Sequence, residues 1–562
     1  MVDFRKAFLL LASLVALTGI VSAQVTPLSC TANAGVPPLA RAEGVAEEVG
    51  QVIIDCRGGA STPNGVAIPT VNVQIFLNTN VTSRLIRSSD TASEATLMID
   101  EPAPAAQVLA TPTPRYTGTV LGSGSGAYYG PNVFLGQQAG SNSIVWLKVP
   151  FDPPGTTPNR VIRLANIRAN ANQLGVSSTL IPTAINMFIS ISGTGSLALT
   201  NPQLTVAYVQ IGMKFSATTA TWNQCEPGPY SYNIKFAELF GTAFRHRDSG
   251  DGSSDAVSQN IPGKIYNTES MFYGPVFSTV SGNQVGRATQ GTQLIARFSN
   301  VPANVTISVG TAPISSGDGD TIVLMVSPTS GSTTDSSGKV GLTGGAGAAV
   351  WEVTASNPGA ISSFTIPVTV NYGSNPLPGL GTATVTGNYA PTTTVFTASS
   401  TEPAPRFVDN PQSATTFTIS SCRTNLLFPF LTNQAGFDSG IVISNTSLDP
   451  FSTVPQRGPC TLYYYGNTNG TGAAPNSQTS GTVNEGTQLV ATLSGGGNLG
   501  VAATPGFQGY MIASCNFQYA HGFAFISDLG ASRVAEGYLA LVMDKQMSKF
   551  PRTAAASEVL GF

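Results

Sequence analysis

Apolar residues in this chain recur at every second position. In Val71-Asn72-Val73-Gln74-Ile75-Phe76-Leu77, the residues Val71, Val73, Ile75 and Leu77 share one face. Phe364, Ile366, Val368, Val370 and Tyr372 do the same. Successive side chains of a strand point to opposite faces, so this period predicts strands buried on one side. Similar runs predict strands at 143–149, 161–167, 184–191, 204–212, 440–444, 460–465 and 522–526. Pro367 donates no ladder hydrogen bond, which predicts an edge strand or a bulge there.

The runs are punctuated by turn formers. The chain has 60 glycines and 38 prolines, a content that could also signal disorder, yet 41% of its residues are hydrophobic. Disordered chains lack that apolar content. The reading is an all-β fold of tandem β-sandwich domains. Amphipathic helix is expected only as a turn or two at 40–49 and near 236–240.

At roughly 100–200 residues per domain, three or four domains are expected. Residues 1–23 have a basic start, an apolar stretch and a small-residue end at Ala23, the pattern of a secretory signal peptide. Residues 24–275 are long enough for one large sandwich or two smaller ones. Residues 276–400 have the size and turn spacing of an Ig-like sandwich, with Trp351 as a candidate core aromatic. A softer break lies at 276–290, and a Pro/Thr-rich linker runs over 390–411, including 401–407. Residues 408–562 form a last β domain. The string Gly291-Thr292-Gln293-Leu294-Ile295-Ala296 recurs as Gly486-Thr487-Gln488-Leu489-Val490-Ala491, through either similar strands in two sandwiches or coincidence.

Export makes disulfides plausible for the six cysteines. Cys30–Cys56 and Cys460–Cys515 are favoured because each pair stays within one expected domain. Cys225 and Cys422 then either link two domains or stay free. None of the six forms the close pairs of a zinc site.

Charge is sparse, at 10% of residues. Without Asp3, Arg5 and Lys6 of the leader, 24 basic and 28 acidic residues remain, a net charge of −4. So small and scattered a charge predicts no nucleic-acid partner. After the leader no stretch is apolar for the ~18 residues a membrane helix needs. The terminal Phe562 does not mark a membrane-barrel strand either, because Glu558 shares the face of Leu560 and Phe562.

The chain has two histidines, His246 and His521. Histidine is the usual general base near neutral pH, so its scarcity weighs against most hydrolytic chemistry. No G-x-S-x-G elbow surrounds a serine of the 122–126 stretch. Cys515 and His521 would make a thiol–imidazole pair only if Cys515 were free. Carboxylates are present for a glycosidase pair, but nothing in the sequence singles out two.

Calcium is the one cofactor with a candidate site. Asp248, Asp251 and Asp255 lie in a Gly/Ser-rich loop, and Asp318 and Asp320 lie in another. Calcium takes carboxylate and carbonyl oxygens, and glycine permits the tight turn. Neither loop has the full EF-hand pattern, and Asp and Gly also dominate ordinary turns. Tyr463-Tyr464-Tyr465 puts Tyr463 and Tyr465 on one strand face, with Asn467 close behind. Exposed aromatic faces beside amides suit sugar rings; core packing is the plainer use of such residues.

The segments IPTVNVQIFLNTNVTSRL (68–85), NLLFPFLTNQAGFDSGIVISNTS (425–447) and CNFQYAHGFAFISDLG (515–530) resemble parts of a group of uncharacterised, exported, β-rich bacterial proteins. The resemblance implies a bacterial envelope or extracellular location and supplies no activity. Together these readings point away from catalysis. They favour a structural or adhesive protein of the cell surface or extracellular matrix, whose partners are copies of itself or extracellular glycans. A carbohydrate-binding accessory protein is the alternative, and a glycoside hydrolase or lyase the second alternative.

Overall fold

The computed structural model describes residues 27–543, except 88, 90, 156, 177–180, 194–196, 227, 249–266, 281–284, 327–329 and 374–377. Among the described residues the regular structure is strand, with two single-turn 3-10 segments at Pro104–Ala106 and Pro275–Phe277. The protein is all-β, built from tandem sandwiches. Every strand expected from period-two alternation is present, among them Thr70–Leu77, Ser143–Pro150, Thr183–Gly193 and Cys460–Thr468.

The first unit is one 12-stranded sheet that wraps a single core. It runs from Ser29–Asn33 through Val52–Arg57, Arg160–Ala165, Ala92–Ile99, Val133–Gly140, Ser143–Pro150, Thr70–Leu77 and Thr183–Gly193 to Gln203–Gln210, with short strands at each edge. Its core extends from Cys30 to Val209 and centres on the buried Trp146, which donates to the Ala95 carbonyl.

The second unit is an Ig-like sandwich of a four-stranded and a seven-stranded sheet. Its core begins at Met213 and contains the fully buried Trp351. Strands Met213–Ala217 and Tyr230–Glu238 belong to it, well ahead of the composition break at 276–290. The chain then turns back: Met271, Phe272 and Phe277 pack on Met98, Val133 and Leu135, the outer side of the first sheet. Strand Ala92–Ile99 is consequently buried at every position.

The third unit pairs a six-stranded with a five-stranded sheet around Leu426, Phe428, Ile443, Phe507 and Met511. The two GTQL strings each lead into a strand, Gln293–Ser299 in the second unit and Gln488–Thr492 in the third.

Two sequence expectations are corrected. The stretch 40–49 holds no helix; it is strand Leu39–Arg41, a turn, and strand Glu47–Glu48. Residues 236–238 likewise finish strand Tyr230–Glu238. Pro367 lies in Ser363–Asn371, which is flanked on both sides. Its partner Asn233 spends its own N–H and carbonyl on Thr218. Pro367 therefore faces away from that neighbour, and the strand on its other side ends its pairing at Val368. The missing N–H costs no ladder bond.

Candidate functional site

Three disulfides form. Cys30 lies directly opposite Cys56 on paired strands, and Cys460 directly opposite Cys515. These are the two pairs favoured from sequence. Cys225 joins Cys422 across a separation of 197 residues. Cys515 is thus no nucleophile, and His521 stands exposed across from Ser444. The His246 Nδ1 lies 2.8 Å from the Ser356 hydroxyl.

The most concentrated chemistry is a buried ion cluster between the first and second units. Strand Leu39–Arg41 carries Arg41 into the interface, and Glu47 follows one tight turn later. Gly44 makes that turn possible, since a Cβ there would sit 2.3 Å from the Glu47 carboxylate. The Arg41 guanidinium donates to Glu47 at 2.7 Å, to Glu269 at 2.8 Å, to the Thr292 hydroxyl at 2.9 Å and to the Ala243 carbonyl at 3.1 Å. Its Cζ lies 4.7 Å from the Phe407 ring centroid and 5.6 Å from that of Tyr389. Arg245 donates to Glu48 at 3.3 Å, and Arg168 pairs with Glu94 at 3.5 Å and donates to the Glu269 carbonyl. Every one of these ionic side chains is nearly or fully buried.

Isolated charges cannot stay buried at such a cost, so mutual pairing is what holds them there. Burial raises the Glu48 carboxyl to about 8, against the opposing pull of Arg245 and Arg168. Burial likewise raises Glu238 to about 7, although its carboxylate accepts N–H bonds from Phe244 and Ser362. Apart from the Arg168 Nε, the cluster spends its polar atoms on one another and on the backbone. It is built to fasten two sandwiches and the segment bearing Phe407. Sequence reasoning missed it, because its members come from positions 41 to 407.

Among the described residues no group of three or more His, Cys, Asp or Glu could hold a metal. Asp248 is buried, and its carbonyl accepts from the Ser270 hydroxyl. Asp251 and Asp255 lie outside the described residues. In the second loop Asp320 accepts the Asn357 N–H at 2.5 Å and the Asp318 carbonyl accepts the Asn357 amide. That network closes a turn.

The tyrosine strand alternates as expected. Tyr464 points into the third core, edge-on to Phe507 at 5.3 Å. Tyr463 and Tyr465 point outward, 40% and 43% exposed. Tyr510 stands opposite Tyr465, with the two rings stacked at 4.9 Å. Each of those two rings thereby loses one face to the other. The Asn467 side-chain carbonyl accepts from Gln434 at 3.0 Å and from the Gly470 N–H at 2.9 Å, so it shapes the adjoining turn.

Fold and sites together define an all-β, multi-sandwich, disulfide-bonded chain. Neither a protein-family model nor a curated protein matches the sequence. Among solved structures, the C-terminal domain of the AgI/II polypeptide BspA of Streptococcus agalactiae aligns at 8% identity, covering 70% of this chain and 100% of that one, with a TM-score of 0.23. The major pilin subunit BcpA of Bacillus cereus aligns at 7% identity over 84% and 96%, with a TM-score of 0.18. The adhesin FdeC of Escherichia coli aligns at 11% identity over 86% and 98%, with a TM-score of 0.18. TM-scores this low establish neither a shared topology nor a shared function.

Proposed function

We propose that this chain is an exported, non-catalytic structural or adhesive protein of the bacterial cell surface or extracellular matrix. One observation carries the reading. Of the 27 exposed large hydrophobic side chains among the described residues, 14 lie between Phe430 and Leu541. Among them Val490, Phe523, Phe525 and Leu539 gather on one sheet and Tyr463, Tyr465, Tyr510 and Leu541 on the other, and exposed apolar residues gathered in this way suit an interaction surface. The three disulfides suit an oxidising, extracytoplasmic setting. The ion cluster suits a role in which two sandwiches act as one stiff body. The test is made in the producing bacterium. Antibody against the chain should label intact cells, and deleting the gene should lower attachment of cells to surfaces or to each other. Unlabelled cells with unchanged attachment would sink the proposal.

A second reading, carbohydrate binding, rests on the outward row of Tyr463, Tyr465 and Tyr510. Aromatic faces pack on the C–H surface of sugar rings. Pull-down on insoluble glycans should then detect the protein and lose it on Tyr463→Ala with Tyr465→Ala. Retention unchanged in that double variant would remove this reading.

A further inference from the structure

We infer that both outer faces of the C-terminal sandwich are contact surfaces for further copies of this same chain, so that it stacks face to face. The inference rests on the structural role proposed above and specifies how that role is performed.

The argument starts with charge. The chain carries a net charge of −3. Yet the strands of the six-stranded sheet contain no Asp, Glu, Lys or Arg. The strands of the five-stranded sheet contain two, Asp438 and Glu536. Asp438 is buried and accepts from Ser494, Asn433 and the Ser439 N–H. Asp438, opposite Ser527, falls on the same side as Val442 and Phe523 but is buried by those bonds, and Glu536, opposite Ile526, falls on the other side. Two acidic molecules can therefore meet through these faces without opposing like charges.

A row of apolar residues crosses each face, among polar ones such as Gln488, Thr492 and His521 on the five-stranded sheet. Across the five-stranded sheet, Val490, Val442, Phe523 and Leu539 stand directly opposite one another on four adjacent strands. Phe525 lies two residues from Phe523 on the same side. Phe523, Phe525 and Leu539 are 40%, 46% and 74% exposed. Gly537 keeps this face flat: a Cβ there would lie 2.6 Å from the Phe523 ring. Across the six-stranded sheet the corresponding row is Tyr463, Ile512, Leu427 and Leu541, flanked by Tyr465 and Tyr510.

The edge is guarded where the faces are not. Strand Ala535–Leu539 closes the five-stranded sheet, and its exposed Glu536 sits on the register that points inward. An inward-pointing charge on an edge strand opposes edge-to-edge pairing. This edge is therefore disfavoured for pairing, while the two faces stay open to contact.

Two such faces on opposite sides of one sandwich make association open-ended. This holds whether unlike faces meet or each face meets its own kind in alternation. With strands roughly 4.8 Å apart and a rise of about 3.4 Å per residue, each face spans on the order of 600 Å². That lies below the ~800 Å² per partner of a standard stable complex, so growth should depend on concentration.

The test is light scattering on the purified, oxidised full chain across a wide concentration range. Apparent mass should rise several-fold with concentration. Phe523→Lys with Leu539→Lys should stop growth at the dimer if like faces meet and at the monomer if unlike faces meet. Val66→Lys, an exposed apolar site on the first unit, should leave growth unchanged. Melting curves matching the parent confirm that the variants fold. A parent that stays monomeric overturns the inference, as does undiminished growth in the folded double variant. Capture by neutral lipid vesicles without self-association also overturns it. A monomer that still supports cell attachment would leave the broader structural role standing.

Discussion

Cys225 and Cys422 clasp the ends of two parallel-paired strands. Ala220–Asn223 pairs with the last residues of Gln412–Ser420, Asn223 opposite Ser420, and the disulfide closes two residues beyond each end. The Cys225 N–H also donates to the Cys422 sulfur at 2.8 Å. The bond thus closes a loop of nearly the whole second sandwich and sits at the entrance to the third.

Loop length sets the expected contribution. With 197 residues between its ends, this bond should stabilise by about 5 kcal/mol in the chain-entropy account, against about 3.5 kcal/mol for Cys30–Cys56. Cys225→Ala with Cys422→Ala should lower the melting temperature more than Cys30→Ala with Cys56→Ala. Hydrogen exchange should rise first in the edge strand Ala220–Asn223. Equal losses from the two pairs would contradict this.

Arg41→Ala should destabilise the protein by about 3–5 kcal/mol, because it strands Glu47 and Glu269 in a buried site without their cation. Arg41 joins groups from both sandwiches, so the loss should also separate their unfolding. Calorimetry should resolve the first and second units as distinct transitions in the variant. A single unshifted transition would show that the cluster does not couple them.

The raised Glu48 carboxyl makes stability depend on pH. Its folded value is about 8 and its ordinary value 4.5, so between these the folded state holds the extra proton. The stabilisation is fully present below about 4.5 and is lost as pH rises through about 8. Glu238, raised to about 7, acts in the same direction. Glu48→Gln should flatten the fall in melting temperature over that window, and the gain over the parent should be larger at the alkaline end. The same slope in parent and variant would show that Glu48 is ionised throughout.

Gly387→Ala should destabilise the second core by about 1–3 kcal/mol, the range for overpacking. Gly387 lies in strand Gly381–Ala390, and a Cβ there would stand 2.2 Å from the Phe215 ring. Denaturant melts measure the loss. Phe215→Leu in the same background should recover part of it by vacating the contact.

Strand positions and their faces were legible because they depend on neighbours two residues apart. Tyr463, Tyr464 and Tyr465 alternate out, in, out as their spacing requires. The cross-strand disulfides were legible too, because each lies within one unit. The second unit was legible only in part. Trp351 was recognised as a core aromatic, but Met213–Ala217 and Tyr230–Glu238 join that core from before the composition break. Their assignment depends on pairing with Ser363–Asn371, more than a hundred residues on.

What the sequence by itself determined is the all-β class, the strand faces, the scarcity of titratable chemistry and the poverty of charge. These follow from local periodicity and composition. Only the tertiary structure decided what Ala40–Val49 would be. Its Glu and Arg residues have the spacing of an exposed helical turn, yet they form the buried cluster. Their counter-charges, Arg168, Arg245 and Glu269, stand more than a hundred residues away along the chain. A charge can be buried only beside its partner, and long-range folding alone sets which partner arrives.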